Sequence, residues 1–246
     1  KPHHIDFDDQ YPVWGTGGNK LVKTASLDQI QMAKQVLDHM IPAGFELSQQ
    51  GLVSHYQGPV HEPIEGVLLR FTAAGNVCLG GEHVSAVVDL DVGHIVGFCR
   101  MLPDCEGSIT ERVEPHIALQ KAFEFLKKEA PDLVTIDDCP EFSYPEDYLG
   151  GGISFSDAPI DLGCVSLLWI DGHTEKFHDT ITRPDTYGMK VKMRFNDNSE
   201  RYAWVIVDKN SEPHVFERNV FWDFNKMQRE TQMWLHDGWI MSHNIF

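Results

Sequence analysis

The chain has 246 residues, 42% of them hydrophobic and 11% aromatic, and a formal charge of −17. That is enough material for one large or two small domains with a sizeable core. The acidic field repels phosphate backbones, so no nucleic-acid partner is expected, and no apolar run approaches the length that spans a membrane.

In chain order, residues 1–25 read as an irregular N-terminal arm. Ser26 then suits an N-cap, and Ile30, Ala33, Val36, Leu37, Met40 and Ile41 recur at helical spacing until Pro42 and Gly44 end the helix. Four strand-like runs follow: "FELSQQGLVSHY", "GVLLRFTA", "EHVSAVVDLD" and "HIVGFCRM". Asp91-Val92-Gly93 reads as the turn joining the last two. A second amphipathic helix is expected from about Thr110 to Glu129, with Ile117, Leu119, Ala122, Phe123, Leu126 and Ala130 on its apolar stripe and Pro131 as its stop. Residues 26–136 would thus form a first α+β unit.

Residues 137–163 break every periodicity and read as a linker or long loop. Their aromatics, Tyr148 among them, suggest a loop that packs onto something and contributes to ligand binding. Residues 164–246 are expected to form a second β-rich unit from "CVSLLWID", "KFHDTIT", "MKVKMRF", "RYAWVIVD" and "HVFERNV", with "FWDFNKMQRETQMWLHDGW" as a closing helix. On such a helix Lys226 and Glu230 would pair, Trp234 would pack inward, and Arg229 would reach Glu217, Asp223 or an anionic ligand. The halves echo each other: "GVLLRF" against "KVKMRF", and "AVVDLDVGHIVGF" against "WVIVDKNSEPHVFER". The fold class expected is α+β, two related antiparallel sheets each flanked by a helix.

Residues 26–101 carry a helix, antiparallel strands and the stretch "VVDLDVGHIVGF". This order resembles the PepSY-type repeats of peptidase propeptides and related extracytoplasmic proteins, whose hairpin reads "VDxxTGEVxx". Val92 stands where that pattern has Thr, and His94 where it has Glu. The resemblance implies a binding or inhibitory module, often outside the cytoplasm; with no catalytic motif assembled, the leading reading is a soluble, non-enzymatic module that binds a peptide or small ligand in a groove between the halves. The resemblance implies no catalytic residue. The odd cysteine count and the absence of a charged-then-apolar leader favour the cytoplasm instead, although a removed signal peptide would leave the same start.

The alternative function is a hydrolase or lyase working through histidine and carboxylate groups, with metal assistance. Its candidate catalytic residues are Glu82 and His83 after a Gly-Gly pair, and Glu217 and His236, which could move protons beside Arg229. The plainer reading of Gly80-Gly81-Glu82-His83 is a turn. His173 and His178 are weak metal candidates: they lie five apart, on opposite faces of an unbroken strand, and no HExxH occurs. "GTGGNK" and "LGGGIS" match no phosphate-binding pattern, so no cofactor is expected. Of the five cysteines, Cys99 and Cys105 are close enough in sequence to bridge, and Cys78 beside the Gly-Gly turn is a candidate nucleophile. A third possibility is a homodimer formed through an exposed sheet edge.

Overall fold

The computed structural model describes residues 24–55, 64–74, 79–144, 151–175, 186–231 and 233–242. Its framework is one antiparallel sheet of ten strands. In space the order is β1 (Phe45–His55), β2 (Ile64–Ala73), β3 (His83–Asp89), β4 (His94–Met101), β10 (Pro213–Val220), β9 (Tyr202–Asp208), β8 (Thr186–Phe195), β7 (Val165–Glu175) and β5 (Ile153–Ser154). Strand β6 (Ile160–Asp161) also pairs with β7.

The mixed α+β class and the antiparallel pairing stand, but the two expected sheets are one. Their inner edges fuse where β4 meets β10, with Val215 opposite Cys99, Phe216 opposite Phe98 and Glu217 opposite Gly97. Separate sheets would leave unpaired backbone groups along both strands, and the seam pairs those of three residues on each. Each side of the seam runs outward through four strands, β4 to β1 on one side and β10 to β7 on the other.

Two helices cover one face. Helix α1 (Leu27–Leu37) starts at Ser26, whose hydroxyl accepts the Gln29 N–H while the Gln29 side chain accepts the Ser26 N–H. This reciprocal cap satisfies two donors that the first turn would otherwise leave free. The helix lies over β2 and β3. Helix α2 (Pro115–Glu129) begins with Pro at its first turn, five residues later than the expected start at about Thr110. It lies over β7–β10, in the other half of the sheet from the strands that precede it in sequence. Phe125 of α2 meets Phe98 and Phe216 on either side of the seam, with ring centroids 6.2 and 5.5 Å away.

Residues 137–163 are in part sheet edge, since β5 and β6 belong to them, and Phe142 stacks edge-on against Phe155 at 5.2 Å. Tyr148 lies outside the described residues. So do most of the N-terminal arm and the run "KFHDTIT".

The expected closing helix is not one. Residues from Trp222 form a small hairpin, β11 (Trp222–Asp223) with β12 (Gln228–Arg229), and only Asp237–Ser242 are helical (α3). The Asp223 side chain accepts the N–H groups of Asn225 and Lys226, and Met227 takes a φ of 51°. Both features turn the chain where a helix would have continued. Lys226 accordingly pairs with Asp223 at 3.0 Å rather than with Glu230.

A continuous sheet should melt as one unit. Five of the six tryptophans lie at position 169 or beyond, in the second half, whereas Leu69 is fully buried under α1 in the first. Leu69→Ala should cost about 2–5 kcal/mol. It should shift the tryptophan-fluorescence and far-UV circular dichroism transitions by the same denaturant concentration. Separate transitions would show that the seam does not couple the halves.

Candidate functional site

The face opposite the helices is covered by the segment after β10. Its apolar side chains Trp234, Leu235 and Ile240 pack on Val87, Val96, Ile206 and Val215 from both sides of the seam. Gly97 makes this close approach possible: a Cβ there would sit 2.6 Å from Leu235 Cδ1. Trp234 packs edge-on against Trp239, centroids 5.0 Å apart. It is buried, as expected, but against strands rather than on a helix.

Beneath this cap lies a network of charged groups. Alternation along the strands puts Arg70, His83, Ser85 and Glu217 on the capped face. Arg70 grips Asp237 with both terminal nitrogens, the Nη2–Oδ2 distance being 2.8 Å, and Arg70 is only 3% exposed. The Gly80 N–H donates to Asp237 Oδ2 at 2.6 Å, from a backbone with φ of 89° that favours glycine. His83 Nε2 stands 3.6 Å from Asp237 Oδ1, and its Nδ1 lies 2.7 Å from Ser85 Oγ.

The second part of the network centres on Glu217. Arg229 Nη1 donates to it at 2.6 Å and Trp204 Nε1 at 3.0 Å, while Arg229 Nε donates to Thr231. His236 bridges two carboxylates. Its Nδ1 is 3.3 Å from Glu175 and its Nε2 is 3.2 Å from Glu217, the latter an ion-pair approach without hydrogen-bond alignment. Glu175 is held on its other oxygen by His173 at 3.1 Å.

Three carboxylates, Glu175, Glu217 and Asp237, thus face three cationic groups, Arg70, Arg229 and His236. Burial opposes the charge on His236, but the carboxylates of Glu175 and Glu217 outweigh it and raise the imidazole to about 10. Burial likewise works against ionised Glu217, and Arg229 and then His236 bring its carboxyl down to about 2. His83 goes the other way: burial dominates over Asp237 and depresses it to about 3, so the ring is neutral at pH 7.

Between the cap, β3, β4 and the end of β7 is a cavity of about 200 Å³. Its polar wall is His83, Glu175, His236 and Asp237, and its apolar wall includes Met101, Met233, Leu235 and Trp239. Cys99 also faces it, with burial raising its thiol well above the usual range. Ser85, His83 and Asp237 stand in line, yet Asp237 is committed to Arg70, and Ser85 is buried and does not line the cavity. This row holds the imidazole in place and leaves no exposed nucleophile.

Of the candidates read from the sequence, His83, Glu217, Arg229 and His236 come together in one network, with Trp234 in the cap above. Glu82 lies in the turn before β3 and does not line the cavity. His173 orients Glu175, whereas His178 and Cys78 lie outside the described residues. Among the described residues no group of three His, Cys, Asp or Glu side chains is placed to hold a metal ion. Cys99 and Cys105 do not bridge: both are buried free thiols, and Cys105 Sγ donates to the Arg100 carbonyl within its own turn. Sequence reasoning missed Arg70 and the acidic partner role of Asp237. The available signal was an arginine inside the apolar run "GVLLRFTA".

Comparison with protein-family models, curated proteins and solved structures finds no match. Among the described residues no helix is long and apolar enough to cross a membrane.

The network makes two predictions. Asp237→Asn strips the counter-charge from buried Arg70 and should cost about 3–5 kcal/mol in urea denaturation; a loss below about 1 kcal/mol would refute the pair's structural role. His236 has its folded pKa raised from 6.5 to about 10, so its stabilisation is complete below pH 6.5 and fades as pH rises toward 10. The stability difference between wild type and His236→Gln should therefore shrink steadily across that interval, as measured by denaturation at each pH. A third concerns the thiols: a water-soluble thiol reagent should label exposed Cys164 at once and leave Cys99 and Cys105 unlabelled until the chain unfolds. Protection of Cys164 with rapid labelling of Cys99 would contradict the arrangement.

Proposed function

We propose that the chain is a non-catalytic, PepSY-like module that takes a small amphipathic ligand, or one side chain of a peptide, into the cavity at the sheet seam. The observation that carries this is the mutual commitment of the cavity's charges. Each carboxylate already has a cationic partner, and each imidazole has a fixed neighbour. A general base or nucleophile needs a free lone pair aimed at a reacting atom, whereas a binding pocket gains from walls that do not move. A volume of about 200 Å³ suits a group of side-chain size rather than an extended cofactor.

The occurrence, twice along the chain, of a helix and then four long antiparallel strands (with the short β5 and β6 between α2 and β7) supports the PepSY likeness of residues 26–101. It also supports an internal repeat, in which α2 would open the second unit rather than close the first. Among the described residues β1 pairs only with β2, so its outer edge can hold the backbone of an extended peptide, or of a second copy of the chain.

The test is an NMR titration of ¹⁵N-labelled protein with a panel of N-acetyl amino-acid amides. Binding should move the amide signals of Gly80, Gly81 and Gly238 saturably for at least one apolar or amphipathic member. It should vanish in Met233→Trp, which fills the cavity from its half-buried rim. Absence of saturable shifts across the panel, or their persistence in Met233→Trp, would overturn the proposal.

A further inference from the structure

Lys190 and Lys192 lie two residues apart on β8 and so share one face of the sheet, the face opposite α2. Lys190 Nζ sits 3.9 Å from the centroid of Trp204. Lys192 Nζ sits among three rings, 4.8 Å from Trp169, 4.5 Å from Tyr202 and 5.8 Å from Trp222. Both lysines, Trp169 and Trp222 are half-buried, so this shelf is open to solvent.

Among the described residues neither ammonium reaches a carboxylate or carbonyl partner. Every other half-buried lysine among the described residues does reach a carboxylate: Lys121 to Glu124, Lys127 to Asp137, Lys209 to Glu111 and Lys226 to Asp223. Acidic side chains are abundant, 37 against 20 basic ones, so the gap at β8 reflects local arrangement. Aromatic faces attract a cation but carry no opposite charge. Burying two like charges without a counter-ion is unfavourable, and each gains from an anion placed between them.

The charged groups that face the pair are few. Asp171, directly across from Lys190 on β7, is exposed and beyond ion-pair distance, though its charge favours both ammoniums. Glu217 and Glu175 also favour charge on Lys190, but they are held by Arg229 and His236, and Arg229 itself repels it. Burial and then Lys190 bring the Lys192 amine down to about 8, consistent with two ammoniums that lack a shared counter-charge.

We propose that Lys190 and Lys192, with the Trp169 and Trp222 rings, form a binding site for an oxyanion, a carboxylate or phosphate, borne on a flat apolar body. The two ammoniums take the oxygens and the half-exposed indoles take the body. The site lies on the same face as the cavity but uses none of its lining residues.

Titration with benzoate, acetate and inorganic phosphate at constant ionic strength tests this, with sodium chloride as control and the indole N–H signals as readout. The expected result is a saturable shift for Trp169, Trp204 and Trp222, with benzoate binding more tightly than acetate and chloride giving none. Binding should weaken at least about tenfold in the Lys190→Met, Lys192→Met double variant, which keeps the apolar stems but removes the charges. Asp171→Asn should tighten it, since the exposed carboxylate whose charge acts on both ammoniums is gone. Tight phosphate with weak benzoate would keep the anion site and assign it to phosphate. No saturable shift with any oxyanion, or undiminished binding in a double variant whose Trp234 and Trp239 signals show an intact cap, overturns the proposal.

Discussion

Arg70 and Asp237 are 167 residues apart in sequence and lock together under the cap with almost no water contact. A guanidinium in that position is costly unless a carboxylate meets it with both oxygens, and Asp237 does so only if the C-terminal segment is docked. Docking in turn sets His236 between Glu175 and Glu217 and brings Leu235 onto Gly97. The cavity walls follow, because Met233, Leu235, His236, Asp237 and Trp239 reach the sheet together. The pair thus fixes geometry more than it adds stability, since a well-packed apolar substitute of the same volume would hold the segment comparably.

The seam is the second constraint. Joining β4 to β10 makes one sheet from two sets of four strands and places residues of both sets on each face. On one face α2 crosses the seam through Phe125. On the other the C-terminal segment crosses it through Leu235 and Trp234. The cavity lies at this join, where His83, Cys99 and Met101 of one half meet Glu175 of the other. The shelf of Lys190 and Lys192 lies wholly in the second half, where the strands carry the concentrated tryptophans. Two surfaces of different polarity therefore share one face, one with its charges internally matched and one with two cations that reach no carboxylate among the described residues.

Much of the framework was legible in the sequence. Ser26 with Gln29 marks the start of α1, the apolar stripe from Ile117 to Leu126 marks α2, and the short β-branched runs in "SAVVD" and "YAWVIVD" mark strands, both buried on their two faces. These signals are local, because capping and periodicity act over a few residues. The closing segment failed for the same reason. Its spacing of Trp, Met and charged residues fits a helix, but the Asp223 turn and the long-range ties of Arg229, His236 and Asp237 to the sheet outweigh that weak preference. The sequence by itself determined the eight long strands, the two long helices and the acidic balance, since each depends on neighbours along the chain. Only the tertiary structure decided that the sheets merge, which charges pair, and that Lys190 and Lys192 reach no carboxylate among the described residues, because those outcomes depend on strand order and on which distant residues share a face.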